Sequence, residues 1–216
     1  MDDLKPNFTP FDVGIKLHSG QPPRNHHEVK EMESKPYRQA VSSLMFSATV
    51  SWPDVFVVTM VSRFLHNPGL DHWHAVRRIM KYLQGTRDLA IRYKPDSTEL
   101  VIYSDAHFTG DCDTRQSATG YMSSLAGGPL TRCSRRQKCV SRSTTEAEYL
   151  AAADAATEVV WLHGFLSEVG FQLDKPTTLH VDNQNAICLI KNTEHHKHTK
   201  HIDIKYHYIR EHVENN

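Results

Sequence analysis

The hydrophobic period of this 216-residue chain changes partway along, and that change constrains the fold more than any other feature. From Pro36 to Gln84 apolar residues recur at helical spacing. Tyr37-Arg-Gln-Ala-Val-Ser-Ser-Leu-Met-Phe reads as one helix, and a second runs from about Pro53 to Leu65. A third begins at Asp71 and puts Trp73, Val76, Ile79, Met80 and Leu83 on one stripe, with Gly85 as its C-cap. Residues 1–34 carry scattered Pro, Gly, Asn and His without a period, which predicts an extended polar arm. From about residue 89 the period shortens to two. Leu89-Ala-Ile-Arg-Tyr, Leu100-Val-Ile-Tyr-Ser, Gly120-Tyr-Met-Ser-Ser-Leu and Lys138-Cys-Val-Ser-Arg read as strands, with Gly127-Gly-Pro as a turn between the last two. A long helix follows from about Thr144 to Val169, ended by Gly170. A strand to Val181, a helix from Asn183 to Lys191, a His-rich loop and a final helix from about Asp203 complete the pattern. The order β-β-β-α-β-α-α from about residue 97 predicts an α/β domain, a mixed sheet with helices packed on it. The chain thus divides into an arm (1–34), a helical segment (35–96) and an α/β domain (97–216).

Four acids occupy telling places in this pattern. Asp105 ends Val101-Ile-Tyr-Ser-Asp105, and Asp182 ends Leu179-His-Val-Asp182. Glu148 stands in the first turns of the long helix, and Asp203 opens the last one. Carboxylates that converge from strand ends and helix starts repel one another unless cations lie between them, and all-oxygen clusters suit hard ions such as Mg²⁺. Two such ions about 4 Å apart clamp a phosphodiester for hydrolysis. Each acid also has a plain alternative. Glu146 and Glu148 both favour the positive end of a helix dipole. Asp182-Asn183 can cap the following helix, Asp203 can cap the last one, and Asp105, with Asp111 and Asp113 close behind, can solvate a loop. Glu146 and Glu148 are two apart and cannot share a face. Helical steps from Glu148 meet Ala152, Ala155, Val159, Leu162 and Leu166, all apolar, whereas steps from Glu146 meet Leu150, Ala153, Thr157, Val160 and Gly164, a less uniform set, so the sheet-facing side is assigned to Glu148.

Composition sets limits on the rest. Formal net charge is zero, so no global field attracts nucleic acid, but residues 130–142 hold Arg132, Arg135, Arg136, Lys138 and Arg142 and no acid. That run is either a phosphate-contacting patch or a solvated strand edge. The four cysteines show no C-x-x-C spacing, and there is neither a signal peptide nor an apolar run of membrane-spanning length. An intracellular, reducing setting without a membrane partner is expected. His195, His196, His198 and His201 are irregularly spaced and lack a Cys partner, which argues against zinc and for a polar loop. One of them can serve as a proton shuttle near a scissile phosphate. Gly-rich phosphate loops and Ser-His-Asp arrangements are missing from the sequence.

Four longer stretches carry a resemblance: Tyr103-Ser-Asp-Ala-His-Phe-Thr-Gly-Asp-Cys-Asp-Thr-Arg-Gln-Ser-Ala-Thr-Gly-Tyr, Ser143-Thr-Thr-Glu-Ala-Glu-Tyr, Val181-Asp-Asn-Gln-Asn-Ala and Thr199-Lys-His-Ile-Asp-Ile-Lys-Tyr-His-Tyr-Ile-Arg-Glu. Together they resemble the ribonuclease H domain of copia-type LTR retrotransposon Pol polyproteins. Pro36-Tyr-Arg-Gln-Ala-Val-Ser-Ser-Leu-Met and Trp73 to Leu89 resemble the last part of the reverse transcriptase region of the same polyproteins. The resemblance implies a ribonuclease H-like mixed sheet of about five strands flanked by helices. It implies endonucleolytic cleavage of the RNA strand of an RNA–DNA hybrid with two Mg²⁺ or Mn²⁺ ions. One ion would activate the attacking water and the other would stabilise the leaving 3′-oxygen. By position, Asp105, Glu148 and Asp182 would be core metal ligands, Asp203 the fourth, and His196 an accessory catalytic residue. Asn183 and Gln184 would contact the hybrid near the cut, with Arg115, Ser117, Arg135, Arg136 and Lys138 as further substrate contacts. The missing polymerase part of Pol would be a partner of the helical segment.

The chain departs from that family at several points. A Tyr-x-Asp-Asp polymerase motif does not occur, so a fragment that does not copy DNA is expected. Ala106-His107-Phe108 stands where the family has Ala-Asp-Trp, and Arg132 stands where members commonly have Trp. An unpaired Arg132 in the core would cost several kcal/mol. Two other readings therefore stand beside the nuclease: a non-catalytic nucleic-acid-binding or interaction module, and an inactive relic that keeps the fold.

Overall fold

The computed structural model describes residues 5–12, 14–94, 98–173 and 175–191. Two compact units divide the chain, Met1–Ala90 and Ile91–Asn216.

The first unit is helical. Its opening helix, α1 (His26–Glu33), falls where the sequence pattern predicts irregular chain. Capping produces it rather than amphipathicity. The Asn25 side chain accepts from the Glu28 N–H at 2.9 Å, and Glu28 Oε2 accepts from the Arg24 N–H at 2.7 Å. The helix then buries Met32 in the unit's core beside Leu17, so this region is not simply an extended arm. Helix α2 (Tyr37–Val50) buries Tyr37, Ala40, Val41, Leu44 and Ala48 along one stripe. The Tyr37 hydroxyl donates to the Val61 carbonyl at 2.8 Å, and burial raises its pKa. The helix expected from Pro53 to Leu65 is much shorter. It is a single turn, α3 (Val58–Val61), followed by a 3-10 turn at Ser62–Phe64. Val55, Val58 and Val61 are fully buried there, so packing decides what backbone propensity does not. Helix α4 (Leu70–Thr86) buries Ala75, Val76, Ile79 and Leu83, while Trp73 and Met80 pack at the edge of the core. Gly85 lies inside this helix and does not end it. A Cβ there would come within 3.1 Å of the Asn7 carbonyl oxygen, so the missing side chain admits the N-terminal strand of chain. Asn7 N–H donates to the Lys81 carbonyl beside it.

The second unit is α/β. Strands β1 (Leu100–His107), β2 (Ala118–Leu125) and β3 (Gly128–Arg136) run antiparallel in sequence, and β4 (Thr178–Val181) pairs parallel to β1. The sheet order is β3-β2-β1-β4. Helix α5 (Thr144–Glu168) makes the crossover between β3 and β4, and α6 (Gln184–Lys191) follows. This mixed sheet with flanking helices is compatible with a ribonuclease H-like fold, but it has four strands among the described residues instead of about five. The segment Leu89–Tyr93 is not a strand. It meets the β2–β3 turn through Lys94 N–H to the Ala126 carbonyl, and Leu89 is 73% exposed, with no sheet face to cover. The segment Lys138–Arg142 is a loop, because β3 starts at once after the turn and finishes at Arg136. The turn itself is Ala126-Gly127, both at positive φ (56° and 77°), the pair that a two-residue hairpin needs. Pro129 is tolerated because β3 is an edge strand.

Alternation then assigns the faces. Ile102, Ser104, Ser123, Leu179 and Val181 point to the side where α5 packs, with Tyr149, Ala152 and Ala153 of α5 among the buried residues. Arg132 pairs with Met122, whose side chain is exposed, so Arg132 lies on the opposite face and never enters the core beneath α5. Helix α5 starts at Ser143, whose hydroxyl accepts from the Glu146 N–H, and ends at Gly170 with φ 81°. Among the described residues no helix is long and apolar enough to cross a membrane.

Candidate metal centre

Parallel pairing places two of the acids. Ser104 is in register with Val181, so Asp105 and Asp182 are the next residues along neighbouring strands about 4.8 Å apart. Glu148 comes from the second turn of α5. One carboxylate oxygen from each of the three lies within 4.8 Å of the other two. Asp105 and Asp182 are exposed, whereas Glu148 is 7% exposed. Glu148 Oε1 accepts from the Ala106 N–H at 3.2 Å. Its Oε2 is buried and has no hydrogen-bond partner among the described residues.

The electrostatics follow from that placement. Burial is the largest influence on Glu148, and the neighbouring charges of Asp105 and Asp182 add to it. Against the opposing Ala106 hydrogen bond they push its pKa up to about 7. Each pair of like charges at this separation costs about 1 kcal/mol in water and about 3 kcal/mol at an effective dielectric of about 20. A side chain with a buried oxygen that has no donor among the described residues, within reach of two exposed carboxylates, fits a hard divalent cation such as Mg²⁺ and its preference for oxygen.

The alternatives open at the sequence level separate cleanly in space. Glu146 accepts from the Arg142 N–H at 2.8 Å and serves the start of α5, while Glu148 meets the aspartates. Asn183 caps α6, its Oδ1 accepting from the Ala186 N–H at 3.0 Å, which leaves the Asp182 carboxylate to the cluster. Gln184 is the exposed first residue of α6. Asp111 does not solvate a loop. It is buried and accepts from the Asp113 N–H, the Thr114 hydroxyl and Arg136.

The other expected substrate contacts fall into three groups. Arg115 and Lys138 are exposed. Arg135 and Arg136 are held by Asp154 at 2.9 Å and Asp111 at 2.8 Å, so the basic stretch is partly neutralised within the chain. Ser117 is fully buried and its hydroxyl accepts from the Thr109 N–H at 3.2 Å, so it ties a loop and does not reach solvent as a substrate contact would. Asp203 and His196, with the other histidines of that loop, lie outside the described residues. Sequence reasoning missed the Ala106 amide and the buried Gln137. A backbone donor leaves no trace in residue identity, and a lone Gln in a basic loop looks solvated.

No family model matches the chain. Over 215 residues, 99% of its length, the chain is 43% identical to the retrovirus-related Pol polyprotein from transposon TNT 1-94 of Nicotiana tabacum. It is 38% identical over 214 residues to the retrovirus-related Pol polyprotein from transposon RE2 of Arabidopsis thaliana. The relatives that match along the whole chain are copia-type retrotransposon Pol polyproteins. The secreted RxLR effector protein 161 of Plasmopara viticola is a relative too, 38% identical over 133 residues, which cover 94% of that protein and 61% of this chain. The chain spans 16% and 14% of the length of the tobacco and Arabidopsis polyproteins.

Proposed function

We propose that this Pol-derived chain is a ribonuclease H-type endonuclease that hydrolyses the RNA strand of RNA–DNA hybrids with two Mg²⁺ or Mn²⁺ ions. One observation carries the reading: Asp105, Glu148 and Asp182 converge from two parallel strand ends and a crossover helix, with Glu148 Oε2 buried and without a hydrogen-bond partner among the described residues. The chemistry supplied by such ions when bound is activation of water and stabilisation of the leaving oxygen. The chain's own groups hold and orient. The Ala106 N–H fixes Glu148 through Oε1 and leaves Oε2 without a donor among the described residues. Asp105 and Asp182, being exposed, face both solvent and an incoming phosphodiester. None of the carboxylates attacks. In this reading Asp203 adds a fourth ligand and His196 moves a proton. Asn183, Gln184, Arg115 and Lys138 line the approach of the hybrid, and selectivity comes from hybrid shape and 2′-hydroxyl contacts.

The same reading assigns residues 35–96 to the end of a reverse transcriptase region and residues from 97 to the nuclease, in an intracellular setting. The polymerase part of Pol is the proposed partner of the first unit, whose Phe46, Val50 and Phe56 remain exposed. The test is cleavage of a labelled RNA–DNA hybrid with Mg²⁺ or Mn²⁺, with Asp105→Asn and Asp182→Asn as controls. Metal-dependent cutting of the RNA strand, lost in both variants, is expected. A folded protein that binds hybrid without cutting it would instead be a nucleic-acid-binding module, and one that does neither would be a relic.

A further inference from the structure

The loop between β3 and α5 holds a polar residue whose side-chain nitrogen, side-chain oxygen and backbone N–H are all engaged. Gln137 is 6% exposed. Its Nε2 donates to the Ala147 carbonyl at 2.9 Å and to Thr119 Oγ1 at 3.2 Å. Its Oε1 accepts from the Ser141 hydroxyl at 2.7 Å, and its backbone N–H donates to the Ser117 carbonyl at 2.8 Å. Thr119 and Ser141 are themselves buried.

These contacts close a ring that runs through Glu148. Ala147 precedes Glu148 on α5. Thr119 on β2 is in register with Ala106 on β1. Ala106 N–H in turn holds Glu148 Oε1. Gln137 therefore joins the helix backbone beside Glu148 to the strand pair that carries the Ala106 N–H, which donates to Glu148. A buried amide with its donors and acceptor all paired holds a geometry well, because each broken bond leaves a buried polar group unpaired.

We infer that Gln137 is a positioning residue for Glu148: it clamps the first turns of α5 to β2 and so sets where that carboxylate stands relative to Asp105 and Asp182. The inference rests on reading the cluster as a cation site. Removing the amide should swing the Glu148 carboxylate away from Ala106 without touching any of the three acids. Loss of a group that orients a metal ligand typically weakens metal affinity by about 10- to 100-fold.

The experiment uses the full chain and two readouts. Gln137→Met keeps the length of the side chain and removes both donors and the acceptor; Gln137→Asn serves if that variant does not fold. Leu166→Ala, in the distal half of α5, is the control for general destabilisation. Amide hydrogen exchange at Ala106, measured without metal, reports the clamp, and Mn²⁺ binding followed by electron paramagnetic resonance reports the site. In the Gln137 variant Ala106 should exchange at least about tenfold faster relative to the other β1 and β2 amides, and the Mn²⁺ dissociation constant should rise about tenfold. In Leu166→Ala, Ala106 should change in step with the sheet. If Ala106 also keeps pace with the sheet in the Gln137 variant, the inference is wrong, whatever Mn²⁺ does. If Ala106 loosens selectively while even the native protein binds no Mn²⁺, the clamp stands and the metal-dependent nuclease reading falls.

Discussion

Replacing Glu148 with Gln should make the metal-free protein more stable at alkaline pH, an unusual outcome for a buried charged residue. Burial and the two neighbouring aspartates raise the Glu148 pKa from 4.5 to about 7. Between those values the folded state keeps a proton that the unfolded chain has released, so stability falls as pH rises, and above about 7 the whole penalty is present. The interval corresponds to roughly 3 kcal/mol. Water at the open side of the site, where Asp105 and Asp182 are exposed, screens it, and about 1–2 kcal/mol is the expected effect. Gln is neutral at every pH and can still accept the Ala106 N–H. In a chelator, Glu148→Gln should therefore match the native protein near pH 5 and exceed it by about 1–2 kcal/mol near pH 8. That difference raises the melting temperature of the second unit by roughly 3–8 °C in calorimetry. Mg²⁺ should then reverse the order by stabilising only the native protein, by about 2.7 kcal/mol at a hundred times its dissociation constant. A stability difference that does not change between pH 5 and pH 8, or a Gln variant weaker than the native chain at pH 8, would refute the electrostatic argument.

Two further expectations test the scaffold. Ala126→Asn should stabilise the second unit by about 0.5–1 kcal/mol in urea unfolding, because Asn tolerates the positive φ that Ala126 adopts beside Gly127; an unchanged midpoint would mean that the turn is not strained. Tyr37→Phe should cost the first unit about 1–2 kcal/mol by leaving the buried Val61 carbonyl without its donor, and should leave the proposed hybrid cleavage unchanged.

Much of the second unit was legible in its residues. The alternation in Leu100–His107 and Ala118–Leu125, and the Ser143 and Gly170 boundaries of α5, are visible because each is a local rule acting over a few residues. The choice of Glu148 over Glu146 was legible for the same reason, since Ala152, Ala155, Leu162 and Leu166 mark the buried face. Other readings failed where a distant partner overrides the local signal. Gly85 resembles a helix stop until Asn7 packs against it. The basic run 130–142 resembles one patch until Asp154 and Asp111 each take an arginine. Helix α1 was missed for a local reason instead, because its two side-chain caps carry no hydrophobic period.

The sequence by itself determined β1, β2, both ends of α5, and the presence of acids at strand ends and a helix start, because alternation, helical spacing and capping depend on near neighbours along the chain. Only the tertiary structure decided that Asp105, Glu148 and Asp182 meet, since their separation depends on the parallel register of β1 with β4 and on how closely α5 approaches the sheet. It also decided that Glu148 is the acid whose charge is opposed. A carboxylate ionises against its surroundings, and burial, the Ala106 amide and two aspartates from other elements exist around it only once the chain has folded.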